Sequence, residues 1–488
     1  MIFEELRTRA LGGRRLPTAI SFARARGAPT APSEVFAAAP GCVTALALEP
    51  LEERVLVAVD TRACVRVFDC DAPRARALRA TVSDADRAHA RAITSITWYS
   101  RDGGIFVTGG ADGRVVAWDA RAGGGPRPAL RVDVLEGGVV SSSRAGALRT
   151  VVSGDRRGAG FSGGGAAWGV GSATAEVTGR VHCVSMSPCA GTHALVACGT
   201  ESPAVRLVDL ATGAATHSLP GARDAVLAVA WAPHAEFVLA AGSRDGSIRL
   251  FDIRRAGSSA TLAQLDRHTS AAEFGSLASG RSSRSAPALT STAAASLGVT
   301  FRERASAITG AAAAQAATAA QCTAHGEGGV NGLVWVPRRA RAADATLLSS
   351  GADGVLRAWG VAAVPEREGG DDPSDLILGR ASGAAAWNTF RDFPGIRNRA
   401  RRCTQFAVAS SGVAGDALVI FHGGGGDVAA GAADVGAVGA WDAATGTPLG
   451  TLRAHAANVN AIVWRRTLGG ELYTAGDDGV ICRWVKRP

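Results

Sequence analysis

The chain has 488 residues, 47% of them hydrophobic, and a formal net charge of +9, so it can bury a large core. No uncharged run of about 20 apolar residues occurs, and the opening segment lacks an apolar signal core, so we expect neither a membrane span nor a secretory leader. The nine cysteines form no C-x-x-C pair, which favours reduced, intracellular thiols.

The first segment of the chain, residues 1–30, has apolar side chains at helical spacing before any strand pattern begins. Gly12 and Gly13 interrupt this spacing, and Pro17 can start a second short helix. The pattern predicts an N-terminal helix-loop-helix outside the main domain, with a frayed leader as the alternative because short helices need a packing partner. Its apolar positions are Ile2, Phe3, Leu6, Ile20 and Phe22.

The stretch from Val226 to Arg255 contains three apolar runs separated by short turns, which is the order of successive antiparallel strands. Asp245 precedes Phe251 by six residues, and an Asp followed by Gly stands six residues before an aromatic residue in four places. The other three pairs are Asp112 and Trp118, Asp353 and Trp359, and Asp478 and Trp484. These copies resemble the WD40 repeat, whose period is roughly 40–45 residues.

Seven such strand groups follow one another along the chain. They are Val43–Asp69, Ile93–Asp119, Val181–Leu210, Val226–Asp252, Val330–Trp359, a degenerate Cys403–Asp442, and a last group ending in Tyr473–Trp484. The pattern predicts an all-β, seven-bladed WD40 β-propeller over residues 40–488. Three insertions interrupt it, at 123–179, 270–324 and 361–402, and their low-complexity composition predicts mobile surface loops.

The repeat also predicts a buried polar network in several blades. His89 and His455 each lie twenty-nine residues before a tryptophan, and in WD40 proteins such a histidine joins a Ser or Thr, the turn Asp and the Trp in hydrogen bonds. In the fourth blade Ala222 takes the histidine position and Phe251 the tryptophan position. The expected structural residues are His89, Asp112, Trp118, Asp245, His325, Asp353, Trp359, His455, Asp478 and Trp484.

Catalytic motifs are mostly eliminated. Lys486 is the single lysine and an arginine follows it, so a Walker A loop is impossible. The G-x-S-x-G match at 160–164 lacks the strand and helix of a nucleophile elbow. The concentration of His182, Cys183, Cys189, His193 and Cys198 has no zinc-ligand spacing. We therefore expect no catalytic residue, metal or cofactor, and a protein that is not an enzyme.

Two readings of the arginine-rich stretch that contains Arg397, Arg399, Arg401 and Arg402 remain open. Such a run is typical of a nuclear-localisation or nucleic-acid patch, and equally of a solvated loop. Direct nucleic-acid binding therefore stays undecided at this point.

A closer resemblance covers Val181 to Thr269, including VHCVSMSP, LVACGTESPAVRLVDLATG, VLAVAWAP and FDIRRAGSSATLAQLDRH. These stretches are similar to the Cockayne syndrome group A family of WD40 receptors in transcription-coupled nucleotide excision repair. The resemblance continues more loosely through TSITWY, AHGEGGVNGLVW and the last blade. It covers most of the chain except the insertions.

The resemblance implies a nuclear, non-catalytic substrate-recognition subunit of a cullin-4 RING ubiquitin ligase. It would recruit stalled RNA polymerase II and a Cockayne syndrome group B-type repair factor for ubiquitination, alongside cullin-4 and the RING subunit. The alternative is a generic WD40 protein- or peptide-binding scaffold, for example chromatin-associated, without a ligase link.

The resemblance also implies two contacts with the damaged-DNA-binding adaptor subunit of that ligase. One is the leader with Ile2, Phe3, Leu6, Ile20 and Phe22. The other is a W-D-x-R motif, which Phe251, Asp252 and Arg254 approximate, with Arg255 following. The stretch from Trp118 to Arg121 matches the motif's letters better, but it lies where the close resemblance is weaker, so we favour Arg254.

Overall fold

The structure is a computed structural model. It describes residues 34–82, 88–121, 125–134, 139–142, 179–187, 193–233, 236–255, 257–265, 324–326, 328–336, 346–360, 389–393, 398–400, 402–409, 418–425, 435–443, 445–466 and 470–485. The predicted helix-loop-helix at 1–30 and most of the three predicted insertions lie outside these residues. No helix among the described residues is both long and apolar enough to cross a membrane.

The described residues form seven antiparallel sheets in chain order, and the prediction of an all-β, seven-bladed propeller is confirmed. Blade 1 has β2 (Val43–Leu48), β3 (Val55–Asp60), β4 (Val65–Asp69) and β5 (Leu78–Val82), with the short helix α1 (Arg74–Ala77) before β5. Blade 2 has β6 (Ile93–Trp98), β7 (Ile105–Gly110), β8 (Arg114–Asp119), β9 (Arg127–Asp133) and β10 (Val139–Ser142). Blade 3 has β11 (Val181–Met186), β12 (Leu195–Thr200), β13 (Ala204–Asp209) and β14 (Ala214–Pro220).

The remaining blades repeat this order. Blade 4 has β15 (Val226–Trp231), β16 (Val238–Ser243), β17 (Ile248–Asp252) and β18 (Thr261–Leu265). Blade 5 has β19 (Val330–Val336), β20 (Thr346–Gly351), β21 (Leu356–Gly360) and β22 (Thr389–Phe393). Blade 6 has β23 (Ala407–Ala409), β24 (Val419–Gly423), β25 (Ala437–Asp442) and β26 (Pro448–Arg453). Blade 7 has β27 (Val459–Arg465), β28 (Glu471–Gly476) and β29 (Val480–Val485), and its fourth strand is β1 (Glu34–Ala38).

The first strand of each blade is innermost, and these strands contact one another around the propeller axis. Hydrogen bonds from side chains connect the beginnings of neighbouring innermost strands across the blade boundaries. The Thr44 hydroxyl donates to the Ile93 carbonyl at 2.6 Å, the Thr94 hydroxyl donates to the Val181 carbonyl at 2.7 Å, and Asn460 Nδ2 donates to the Val43 carbonyl at 2.8 Å. All innermost strands therefore begin on one face of the disc, the start face, and end on the opposite face, the end face.

The turn between the second and third strands of a blade also lies on the start face. In six blades a turn amide donates to the carbonyl of the residue just before that blade's innermost strand, at 2.8–3.0 Å. The donor and acceptor pairs are Thr61 and Cys42, Ala111 and Ala92, Glu201 and Arg180, Arg244 and Ala225, Ala352 and Gly329, and Asp477 and Asn458. Loops that follow the first and third strands consequently lie on the end face.

The core consists of the packed faces of neighbouring blades. Every residue of β15 and β16 is buried, which explains why these strands appear in the sequence as continuous apolar runs. Neighbouring blades approach so closely at Gly242 that a Cβ atom there would stand 2.5 Å from Cγ1 of Val330. The largest fully buried side chains include Trp118, Trp359, Trp441 and Trp484.

Blade 7 is closed by β1, an element that the sequence pattern did not predict. Glu34 to Ala38 pair antiparallel with Arg483 to Val480, so the first and last described strands lie side by side. Phe36 is 3% exposed, and its ring packs against Phe68 at 5.5 Å and Tyr473 at 5.3 Å. This pairing covers the outer edge that β29 would otherwise expose.

Two of the predicted insertions contain blade strands, so the loop prediction was wrong for these stretches. Strand β9 lies within 123–179 and pairs with β8, and strand β22 lies within 361–402 and pairs with β21. Val132 is the one buried residue of β9, and Phe393 of β22 is buried as well. An outer strand with a single anchor is hard to distinguish from a loop by hydrophobic pattern.

Candidate protein-interaction site

Three blades contain the complete network of histidine, hydroxyl, tryptophan and aspartate. In blade 7, His455 Nε2 and the hydroxyl of Thr474 are 2.7 Å apart, and Trp484 Nε1 donates to the same hydroxyl at 2.9 Å. His455 Nδ1 lies 2.9 Å from Asp478 Oδ2. The matching sets are His89, Thr108, Asp112 and Trp118 in blade 2, and His325, Ser349, Asp353 and Trp359 in blade 5.

These networks are structural. Burial acts to lower the pKa of His455, but the hydrogen bond to Asp478, together with the nearby Cys482, outweighs it and raises the pKa to about 9. The network aspartates also accept backbone amides from the residue after the histidine, Ala90 in blade 2 and Ala456 in blade 7. Each network therefore links the residues just before the innermost strand to the turn between the second and third strands of the same blade.

Blade 4 keeps only part of this network. Asp245 accepts the Arg223 amide at 2.8 Å, but Ala222 and Phe251 stand at the histidine and tryptophan positions, so among the described residues neither ring contributes to the network. The hydroxyl of Ser243 donates instead to the carbonyls of Asp224 and Ala225. A small cavity lined by Ala222, Ser243 and Phe251 lies at the place of the replaced side chains.

The F-D-I-R-R stretch of blade 4 lies on the end face, where β17 stops. The Arg254 guanidinium donates to both carboxylate oxygens of Asp252, at 3.0 Å from Nε and 3.1 Å from Nη2. Its carbon Cζ also lies 4.8 Å from the centre of the Phe237 ring, within the range of a cation–π contact. Arg255 Nε lies 3.6 Å from Asp252 Oδ2.

Two of the four predicted adaptor-contact residues in this stretch are core residues. Phe251 and Asp252 are 2% and 1% exposed, because the ring fills the space between blades and the carboxylate caps the strand end. The side chains of Arg254 and Arg255 are 38% and 37% exposed. Of these four residues, only the two arginines can therefore contact a partner.

Ion pairs stabilise the end of this strand. Burial acts to raise the pKa of the Asp252 carboxyl, but Arg254 outweighs it and holds the pKa below its usual range. The two arginines bring two positive charges to the one carboxylate of Asp252. Such a site suits an acidic or carbonyl-rich partner surface.

The arginine pair has aromatic neighbours that sequence reasoning missed. The His193 ring lies 5.5 Å from Trp231 and 5.9 Å from Phe237, and Phe237 in turn contacts Arg254. His193 comes from the loop before β12 in blade 3, so the cluster spans two blades. The sequence does contain an aromatic residue, Phe237, just before β16. Its partners come from separate loops and are not adjacent in sequence, so the sequence alone did not indicate a cluster.

The second W-D-x-R candidate has a different geometry. Trp118 is buried in the blade 2 network, and Arg121 pairs with Asp102 of the neighbouring loop rather than with Asp119. The Arg121 side chain is 71% exposed. Both candidates lie on the end face, which makes Arg121 a natural comparison for Arg254.

The His and Cys residues considered for zinc are separated in the structure. His182 Nε2 lies 2.6 Å from Glu201 on the start face, whereas His193 lies on the end face. Cys183 and Cys198 are buried in the core, and Cys189 is outside the described residues. Within the described part of the chain no group of His, Cys, Asp and Glu could hold a metal ion.

Other predicted contact residues are only partly described. The leader positions Ile2, Phe3, Leu6, Ile20 and Phe22 lie outside the described residues, as do Arg397 and Arg401. Arg399 is exposed on the start face, and Arg402 pairs there with Asp477. The arginine-rich stretch thus reaches the start face beside blade 7.

Comparison with known proteins agrees with the fold. The family model described as "WD domain, G-beta repeat" matches residues 82–119 and 213–252, in blades 2 and 4. The Arabidopsis thaliana protein named "WD repeat-containing protein ATCSA-1" is 31% identical over an alignment of 227 positions that covers 44% of this chain. The chain spans 40% of that relative's length. The chain is therefore a seven-bladed β-propeller that contains WD40 repeats, a fold that serves as a platform for protein interactions.

Proposed function

We infer that this chain is a substrate-recognition subunit of a cullin-4 RING ubiquitin ligase that acts in transcription-coupled nucleotide excision repair in the nucleus. It docks on the ligase's damaged-DNA-binding adaptor and recruits stalled RNA polymerase II and associated repair factors. The name of the Arabidopsis relative supports this proposal, as does the resemblance of blades 3 and 4 to the Cockayne syndrome group A family.

The observation that carries the proposal is that Glu34 lies on the same face as Arg254 and Arg255. Strand β29 runs from the start face to the end face, and Glu34 pairs with Arg483 near its far end. The chain therefore enters the propeller from the end face. A leader joined at Glu34 and the arginine pair of blade 4 share one face, which suits a receptor that docks on one adaptor through both.

The mechanism is proximity. A receptor that holds its substrate beside a ubiquitin-charged enzyme raises the effective concentration of substrate lysines without supplying a catalytic group. The propeller suits this role, because three complete networks hold the start-face turns to the innermost strands and β1 closes blade 7. The adaptor then connects this rigid platform to cullin-4 and the RING subunit.

Affinity purification from nuclear extract tests the proposal. We expect the full chain to retain the adaptor, and a chain lacking Met1 to Gly27 to lose it while its melting temperature is unchanged. Retention of chromatin proteins by both chains, without the adaptor in either, would instead identify a generic WD40 scaffold.

A further inference from the structure

We propose that the start face binds an acidic polypeptide segment across the propeller axis, through an arginine ring made by Arg62, Arg180, Arg223 and Arg399. This proposal concerns the face opposite to the inferred adaptor contact and does not depend on the ligase assignment. It names the chemistry of a partner, a chain segment with spaced carboxylates.

The backbone fixes the positions of the four arginines. Arg180 directly precedes β11, Arg223 precedes β15, and Arg399 lies before the first strand of blade 6. Arg62 lies in the β3–β4 turn, where its Cγ stands 3.1 Å from a Cβ placed on Gly41, just before β2. All four therefore surround the points where the innermost strands begin.

The ring has an excess of positive charge. All four arginines are exposed, and among the described residues no carboxylate lies within ion-pair distance of any of them. The carboxylates nearby are already engaged: Glu201 and Asp224 by Arg244 at 2.9 and 3.4 Å, and Asp477 by Arg402. The four ring arginines thus have guanidinium groups available for a ligand.

The seam between blades 3 and 4 is the densest part of the ring. Burial lowers the pKa of His182. The positive charges of Arg180 and Arg244 also lower this pKa, whereas Glu201 raises it. His182 Nε2 and Arg244 Nη1 hold the two oxygens of Glu201 from opposite sides, at 2.6 and 2.9 Å. This internal carboxylate shows that the seam accepts a carboxylate in a hydrogen-bonded geometry, beside Arg180, whose carbonyl accepts the Glu201 amide at 3.0 Å.

The same features favour a polypeptide over a nucleic acid. Single-stranded nucleic acid is held by exposed aromatic side chains on which bases stack. The large hydrophobic residues exposed in the described part of the chain are Val35, Leu51 and Leu78, none of them aromatic. Fixed carboxylates also alternate with the arginines, which would repel a continuous phosphate backbone. Spaced carboxylates can instead meet single guanidinium groups in bidentate pairs.

Fluorescence anisotropy of the full chain with a short fluorescein-labelled peptide of alternating glutamate and glycine tests this proposal. The test variant is Arg180→Glu with Arg223→Glu. The matched control is Arg74→Glu with Arg76→Glu, which changes the charge equally on exposed positions of α1 at the end face. A peptide of alternating glutamine and glycine and an oligothymidylate of similar length serve as further probes.

We expect the wild type to bind the glutamate peptide, with a Kd that rises roughly tenfold or more in the start-face variant and is unchanged in the control. Added salt should weaken this binding. Equal weakening in both variants, or equal binding of the glutamine peptide, would overturn the ring. Tighter binding of the oligothymidylate, lost in the start-face variant alone, would identify a nucleic-acid surface instead. Melting temperatures equal to wild type establish that both variants fold.

Discussion

Asp478 accepts hydrogen bonds from three donors in blade 7, which are His455 and the backbone amides of Ala456 and Val480. Asp102, by contrast, caps the amide of Gly104 and pairs with the exposed Arg121. Both residues are turn aspartates in the sequence. Their different surroundings decide their contributions to stability.

Asp478→Ala should therefore lower the free energy of unfolding by roughly 1–3 kcal/mol, because it leaves buried donors unpaired. Asp102→Ala should cost about 1 kcal/mol or less, since it removes an exposed pair and one turn hydrogen bond. Urea unfolding of both variants measures the difference. Equal losses would contradict the structural role of the network.

The incomplete network of blade 4 provides a second test at this scale. Ala222→His combined with Phe251→Trp should rebuild the contacts to Ser243 and Asp245 that blades 2, 5 and 7 possess, and fill the cavity. We expect the double variant to be more stable than the sum of the single variants by about 1 kcal/mol, the usual net gain of a hydrogen bond. A double-mutant cycle measures this coupling, and strictly additive single effects would show that blade 4 cannot accommodate the network.

At the scale of the element, the inner strands were predictable and the outer ones were not. Strands β15 and β16 are buried along their whole length, and β16 leads into the Asp245-Gly246 turn, which together give a strong signal. Strands β1, β9 and β22 carry short, interrupted apolar patterns, with Phe36, Val132 and Phe393 among their buried side chains. The closure by β1 also pairs the two ends of the described chain, and no local pattern encodes that pairing.

The site was predictable to a smaller extent. The spacing in the sequence identified the network residues, because the turn Asp precedes the Trp by six residues in all three blades, although the histidine lies 28 residues before the Asp in blade 5 and 23 residues before it in blades 2 and 7. It did not indicate that Arg254 bonds back to Asp252 and stacks on Phe237, since this depends on how two loops meet in space. The arginine ring of the start face was equally hidden, because its members are far apart in sequence.

Phe36→Ala tests the closure of blade 7. The Phe36 ring is buried between Phe68 and Tyr473, so its loss should cost about 3–5 kcal/mol, as for other buried aromatic residues. Its neighbour Val35 is 41% exposed, and Val35→Ala should change stability by about 0.5 kcal/mol or less. Thermal melting of both variants provides the comparison. A small effect of Phe36→Ala would mean that the propeller does not depend on β1.

The predicted insertion 270–324 needs a corrected boundary. Ala324 is fully buried, and it precedes the network residue His325, so a deletion that includes it damages blade 5. A Gly/Ser link replacing 270–319 should leave the melting temperature unchanged or slightly higher, since closure entropy changes by only about 0.6 kcal/mol per doubling of loop length. Replacing 270–324 should lower it. Equal melting of the two chains would contradict the boundary.

At the scale of the whole molecule, the propeller presents two faces with different chemistry. The end face carries Arg254 and Arg255 on an aromatic cluster and lies where the chain enters the propeller. The start face carries the arginine ring around the propeller axis. A receptor needs two such independent surfaces, one for its ligase and one for its substrate.

Calorimetry against the purified damaged-DNA-binding adaptor tests the central claim most directly. Phe3→Glu with Leu6→Glu should abolish binding at an unchanged melting temperature, because charged side chains cannot enter an apolar groove. Arg254→Ala should weaken binding by about 1–3 kcal/mol through loss of a charge-assisted contact, and Arg121→Ala serves as its matched control on the same face. Undiminished affinity in the double glutamate variant would contradict the adaptor role of the leader and favour the generic scaffold.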